Sequence, residues 1–142
     1  MKNTDVLVIG GSAAGLASAL ASKSHYPNKS VTIVRKEKIV AIPCGIPYIF
    51  GSLEETDQDI LPDAGLIKAG VEIRVDEVTS ILGEDKTAIL KHDGALSYEK
   101  LIIATGSNPV IPEWLTGAQL EQVYTVPKNL AYLDEMKKGL KG

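Results

Sequence analysis

The sequence predicts an α/β fold, in which a mostly parallel sheet carries helices on both faces and a small antiparallel β-meander. Three observations predict it. Uncharged, β-branched runs at residues 6–9 and 31–34 are typical of strands buried on both faces. A glycine turn and an alanine-rich helical stretch separate these runs, so together they form a βαβ unit. After residue 71 the pattern changes to short alternating segments divided by turn residues, which is typical of antiparallel strands.

The remaining elements follow along the chain. They are expected to be a short helix within residues 61–70, parallel strands at 71–74 and 101–104 with the meander between them, and a helix at 129–142. Pro62 suits the start of the short helix and Gly70 its end. The last helix is amphipathic, because Leu130, Leu133 and Met136 recur on one side.

Composition excludes several classes of function. A net charge of −3 over 142 residues gives no electrostatic reason for binding nucleic acid or an anionic membrane. The single cysteine excludes an intramolecular disulfide framework within this chain, and His25 and His92 are too far apart to suggest a metal site. The apolar N-terminal stretch lacks a basic start and is broken by glycines, so we expect a cytoplasmic protein rather than a secreted one.

The glycine turn is the first candidate site. This stretch follows a strand and opens a helix. Its candidate residues are Gly10, Ser12, Ala13, Ala14 and Gly15. This is the context that a dinucleotide fingerprint requires, with a tight turn, a small middle residue and close packing of helix on strand. Since no acidic side chain follows in the helix, its N-terminus is free to hold an anion. The alternative is a tight turn that binds nothing.

The end of the second strand departs from the fingerprint, which expects an acid there for a ribose hydroxyl. This chain has Arg35 and Lys36, followed by Glu37. Glu37 is one candidate for the ribose contact, whereas Arg35 would favour a phosphate or stack on an adenine. A solvated run of charges is the third interpretation. These residues leave NAD, NADP and FAD open.

Cys44 lies in the restricted stretch "AIPCGIPYIFG", with Pro43 before it and Gly45 after it. Proline suits a helix edge, and glycine leaves backbone space beside the thiol. We expect Cys44 near a helix N-terminus, which would stabilise a thiolate. The alternative is a buried, inert cysteine.

Three motifs now resemble a known family. The stretches "VLVIGGSAAGLASAL", "PCGIPYIFG" and "YEKLIIATGSNPVIP" are similar, in this order, to the FAD-dependent pyridine nucleotide-disulfide oxidoreductases. The nearest branch contains NADH oxidases, NADH peroxidases and coenzyme A disulfide reductases. The resemblance implies a three-layer FAD/NAD(P)-binding fold. It also implies that residues 1–125 are the N-terminal part of an FAD-binding domain, and that 126–142 are a linker helix leading to an NAD(P)-binding domain outside this chain.

The resemblance further implies FAD as cofactor and NAD(P)H as co-substrate of the full-length protein. Cys44 would face the flavin and cycle through a sulfenic acid or a mixed disulfide. The acceptor would be a small disulfide, a peroxide or oxygen, and the full-length protein would be a homodimer. Besides the glycine-turn residues, the expected cofactor contacts are Arg35, Lys36, Pro43, Val78 (through its backbone to adenine), Ala104, Thr105 and Gly106.

Two departures qualify this resemblance. Arg35 replaces the usual ribose-binding glutamate, and the serine and asparagine that precede the cysteine in coenzyme A disulfide reductases are absent, which disfavours coenzyme A as partner. Two alternatives therefore stay open: an NAD(P)-binding Rossmann dehydrogenase domain, and a non-catalytic nucleotide-binding module in which Cys44 only packs. We expect the 142-residue chain alone to be inactive and to bind FAD weakly.

Overall fold

A computed structural model describes residues 2–140 of the chain. Its elements are β1 (Lys2–Ile9), α1 (Ala13–His25), β2 (Val31–Arg35), α2 (Ile46–Ile49), a 3₁₀ turn (Thr56–Asp59), α3 (Ala64–Lys68), β3 (Glu72–Val75), β4 (Val78–Leu82), β5 (Thr87–Leu90), β6 (Ala95–Ile103) and α4 (Leu130–Leu140). The described chain divides into two compact units. The first runs through Lys38 and includes Leu61–Gly106, and the second comprises Ile39–Ile60 and the chain from Ser107 onward.

The first unit contains one six-stranded sheet in the order β3-β2-β1-β6-β5-β4. The pairs β3–β2, β2–β1 and β1–β6 are parallel, whereas β6–β5 and β5–β4 are antiparallel. The predicted α/β class, with four parallel segments and an antiparallel meander, is therefore confirmed. The last parallel strand is longer than predicted: β6 pairs with β5 near its start and with β1 up to Ile103.

The two faces of the sheet are covered differently. On one face Val6, Val8 and Ile33 pack with Ala19 of α1 and Leu66 of α3. On the other face the apolar cluster contains no helical residue. It consists of Leu7 and Ile9 of β1, Val34 of β2, and the meander side chains Ala88, Leu90, Leu96 and Tyr98. On this second face the meander side chains pack against β1 and β2.

The second unit is a small helical assembly. Leu133 of α4 is fully buried and packs with Ala41, Ile46 and Ile49. The Lys137 ammonium donates hydrogen bonds to the carbonyls of Leu53 (2.7 Å) and Glu54 (2.8 Å), which satisfy this buried charge.

The division of the chain at residue 125 stays a prediction. Helix α4 packs in the same unit as residues 39–60, and residues 141 and 142 at the end of the predicted helix lie outside the described residues. The role of 126–142 as a link to another domain stays a prediction. Within residues 2–140, no helix is long and apolar enough to cross a membrane.

Candidate dinucleotide site and the Cys44 segment

The glycine turn begins where β1 ends. Gly10 has φ of +105°, a left-handed conformation that favours glycine, and its N–H donates to the Val34 carbonyl at 2.8 Å. A Cβ at Gly10 would lie 2.2 Å from the carbonyl oxygen of Ala104. Both backbone conformation and close approach therefore require glycine at this position.

Helix α1 starts immediately over the end of β1. A Cβ at Gly15 would lie 1.9 Å from the Gly10 carbonyl oxygen, so only glycine permits this packing. Ser12 is the N-cap residue, and the first helical hydrogen bond runs from the Leu16 N–H to its carbonyl at 2.9 Å. The preceding N–H groups are those that a helix start leaves unpaired. With no acid in the first turn and with Ala13 and Ala14 exposed, they are available to an anion.

The second predicted motif meets this turn. Ala104 follows β6, and its N–H donates to the Ile9 carbonyl at 2.8 Å. Thr105 follows, and Gly106 has φ of +71°, so the chain turns away there. Because β1 and β6 are parallel neighbours, both turns lie at the carboxyl edge of the sheet, where open α/β sheets bind ligands.

Arg35, the last residue of β2, lies at the same edge. Its side chain is only 4% exposed, and its Cδ would be 2.4 Å from a Cβ at Gly11. Its guanidinium donates to both carboxylate oxygens of Asp63, at 2.7 and 2.6 Å, and to the Lys38 carbonyl at 2.9 Å. Arg35 is therefore a buried, ion-paired residue rather than part of a solvated run.

Lys36 and Val78 lie on the meander side of this edge. Lys36 is exposed and pairs with Glu77 at 2.7 Å, which lowers the pKa of the Glu77 carboxyl. Val78 opens β4, pairs with Leu90 and packs its side chain against the meander core. Since β4 is an edge strand, the backbone on its outer side has no strand partner among the described residues.

Cys44 belongs to the second unit. Its side chain is exposed, which disfavours the inert, buried alternative. Pro43 precedes it in the turn, and Gly45 follows as the residue before α2, so Cys44 lies at the start of a helix as expected. This helix is only four residues long.

Asp59 accounts for the glycine beside the thiol. A Cβ at Gly45 would lie 1.7 Å from the Asp59 Oδ1, so the carboxyl presses directly on the backbone of Gly45. Asp59 is 2% exposed, and its Oδ2 has no hydrogen-bond partner among residues 2–140. Burial raises the pKa of this carboxyl. Sequence reasoning missed both Asp59 and Asp63, because neither lies in a recognisable motif.

Comparison with known proteins gives the class that this fold and these turns define. Residues 4–142 match the pyridine nucleotide-disulphide oxidoreductase family. The chain belongs to that family, and the resemblance inferred from the sequence is confirmed.

Two curated relatives show which members of the family the chain is similar to. The chain is 28% identical over 141 residues to the NAD(P)H sulfur oxidoreductase (CoA-dependent) of Pyrococcus abyssi, which covers 94% of this chain and 31% of that protein. It is 30% identical over 129 residues to the NADH oxidase of Methanocaldococcus jannaschii, which covers 84% of this chain and 29% of the relative. The chain thus spans about a third of the length of these relatives.

Solved structures agree on the fold. The NAD-dependent persulfide reductase from A. fulgidus superimposes with a TM-score of 0.76 at 30% identity, over 98% of this chain and 27% of that one. The water-forming NADH oxidase from Lactobacillus brevis has a TM-score of 0.80 at 24% identity, over 97% of this chain and 32% of that one. At that lower identity the likeness concerns the fold alone.

Proposed function

We propose that this chain is the front part of the FAD-binding domain of an NAD(P)H-dependent flavoprotein oxidoreductase that reduces a small acceptor. The observation that carries the proposal is the meeting of two turns, with Gly10 directly against the Ala104 carbonyl at the carboxyl edge of the parallel sheet. Membership of the pyridine nucleotide-disulphide oxidoreductase family supports it, as do the names of the relatives.

The residues at this edge fit a dinucleotide. The unpaired N–H groups at the start of α1, together with the helix dipole, would hold a pyrophosphate, and Ala13 and Ala14 keep its approach free of bulk. The turn at Ala104, Thr105 and Gly106 would lie close to the same ligand. When bound, FAD would accept a hydride from NAD(P)H and supply two electrons for the acceptor. The outer backbone of β4 at Val78 would contact the adenine.

Cys44 is the residue we assign to the acceptor step. With a disulfide, the Cys44 thiolate attacks one sulfur, the S–S bond breaks, and the leaving thiolate takes a proton. With a peroxide, the Cys44 thiolate attacks one oxygen and the O–O bond breaks. The released oxide takes a proton, and Cys44 becomes a sulfenic acid. Two electrons from NAD(P)H and one proton then restore the thiolate, which releases the second thiol from the mixed disulfide or water from the sulfenic acid. Since this chain contains no second cysteine, its oxidised state would be a mixed disulfide or a sulfenic acid.

The names of the relatives support an acceptor with which a cysteine thiol can react. Their names include sulfur, polysulfide and persulfide reduction, besides oxidation of NADH. An exposed thiol in a fixed turn is open to a sulfur acceptor. Direct reduction of oxygen needs no thiol and would therefore not depend on Cys44. A homodimeric full-length protein is part of this proposal.

The identity of the cofactor tests the proposal against its two alternatives. The whole protein that contains this chain is purified, its visible spectrum is recorded, and any released cofactor is weighed by mass spectrometry. We expect a flavin spectrum with the mass of FAD, and loss of the flavin absorbance when NADH or NADPH is added without oxygen. A colourless protein that binds NADH would favour the Rossmann dehydrogenase. A protein that binds a nucleotide but oxidises neither NADH nor NADPH would favour the non-catalytic module.

A further inference from the structure

The last residue of β2 is not the acid that a dinucleotide fingerprint places there. In that fingerprint an acidic residue at the end of the second strand accepts the hydrogen bond of an adenosine ribose hydroxyl. Arg35 stands there instead, and a guanidinium has five donors and no acceptor. A ribose hydroxyl that needs an acceptor at this position has to find it on another residue.

The side chain of Arg35 is paired with a carboxylate. Its two terminal nitrogens donate to Asp63, the residue before α3, in a bidentate pair of 2.7 and 2.6 Å. The stem of Arg35 lies along Gly11, since its Cδ would be 2.4 Å from a Cβ placed there. The pair therefore fixes the Asp63 carboxylate beside the glycine turn, at the end of β2.

The two members of the pair differ in accessibility. The Arg35 side chain is 4% exposed, and its Nε is buried without a hydrogen-bond partner among the described residues. The Asp63 side chain is 30% exposed. Each carboxylate oxygen carries two lone pairs, and Arg35 uses one on each, so Asp63 keeps acceptor capacity toward solvent.

We infer that Asp63 supplies the carboxylate that accepts hydrogen bonds from the adenosine ribose of the bound dinucleotide, and that Arg35 is the positioning residue that holds it there. This inference rests on the proposed function, because it requires a dinucleotide at the glycine turn. It moves the ribose acceptor from β2 to the start of α3. It also disfavours a 2′-phosphate at this ribose, because Arg35 is already neutralised and a carboxylate repels a phosphate.

Glu37 is the competing acceptor and the matched control. It lies two residues beyond Arg35, it is exposed, and it has no hydrogen bond or ion pair among the described residues. Glu37→Gln therefore removes one negative charge from the same edge of the sheet, as Asp63→Asn does, but it leaves the Arg35–Asp63 pair intact.

The test compares the binding of three ligands to the parent protein and to its variants. The cofactor is removed from the whole protein, and calorimetry measures binding of ADP and of 2′-deoxy-ADP and 3′-deoxy-ADP. A hydrogen bond to a charged group is worth about tenfold or more in affinity, so the parent should prefer ADP over at least one deoxy ligand by about that factor. Asp63→Asn should bind ADP about tenfold more weakly and lose the preference, whereas Glu37→Gln should keep both.

A second variant guards against misfolding. Asp63→Asn leaves the buried Arg35 charge unpaired, which destabilises a fold. The double variant Arg35→Gln with Asp63→Asn removes both charges and should show the same loss of ribose preference. If either Asp63 variant folds and still prefers ADP as the parent does, the inference is wrong, and loss of the preference in Glu37→Gln would assign the contact to Glu37. If the parent binds no ADP at all, the proposed function fails as well.

Discussion

At the residue scale, two buried acids of this chain differ in their hydrogen bonds and therefore in the direction of their pKa shifts. Asp59 is pressed against Gly45 with one oxygen unpartnered among the described residues, and burial raises its pKa. Asp76 is also buried, but it accepts hydrogen bonds from the N–H groups of Glu77, His92 and Asp93. Burial alone would raise the pKa of Asp76, yet these hydrogen bonds outweigh it and lower the pKa to about 2.

Asp76 should therefore make stability depend on pH in the acid range. Because its pKa is lower in the folded state, its contribution is present above the unfolded pKa near 3.8 and is lost as the pH falls toward about 2. We expect Asp76→Asn to lower the urea midpoint of unfolding at pH 7 and to differ little from the parent at the acid end. Asp85→Asn, an exposed acid in the β4–β5 turn, is the control and should leave the midpoint unchanged. A constant difference between parent and Asp76→Asn at every pH would contradict this assignment.

The sequence could predict the residues whose role is local. Gly10 and Gly15 were predicted because a tight turn and a close helix each demand glycine at a fixed spacing, and the structure shows both close approaches. Asp63 could not be predicted, because its partner Arg35 is 28 positions away and no pattern connects them. The site roles of these residues stay predictions until a ligand is bound.

At the scale of elements, the start of α1 depends on one glycine. The Gly15 Cα is so close to the Gly10 carbonyl that a methyl group would move the helix from the sheet. We expect Gly15→Ala to destabilise the protein by about 1–3 kcal/mol, as overpacking does, and to weaken FAD binding. Gly83→Ala is the matched control, because nothing lies within 4 Å of its added Cβ. Thermal unfolding and FAD titration of both variants check this, and equal melting temperatures would show that α1 tolerates the methyl group.

Some of the strands could be predicted from the sequence pattern and others could not. The buried runs of β1 and β2 were visible because they are uncharged, and their parallel pairing is confirmed. The first half of β6 was not predicted, since Glu99 and Lys100 interrupt the pattern where the strand passes from the meander to the parallel sheet. Coverage of the second sheet face by the meander was also not predictable, because its apolar residues are spread over three short strands.

At the scale of the whole molecule, the glycine turn and the Cys44 segment belong to separate compact units. The chain spans about a third of the length of its relatives. The weak binding of FAD by the isolated chain stays a prediction. Binding orders the ligand and the protein side chains around it, and we expect that only the contacts of the full-length protein outweigh this loss of entropy. In the proposed function, electrons from NAD(P)H leave the intact protein through Cys44.

The measurement that tests this claim most directly is turnover of Cys44→Ser in the full-length protein, with stopped-flow reduction of its bound flavin as the control. Reduction by NADH or NADPH should match the parent, because hydride transfer does not use the sulfur. Turnover with a disulfide, persulfide or peroxide should fall by at least about a thousandfold, as expected when a nucleophile is removed. If Cys44→Ser reduces these acceptors as fast as the parent, Cys44 takes no part in the chemistry and the account is wrong.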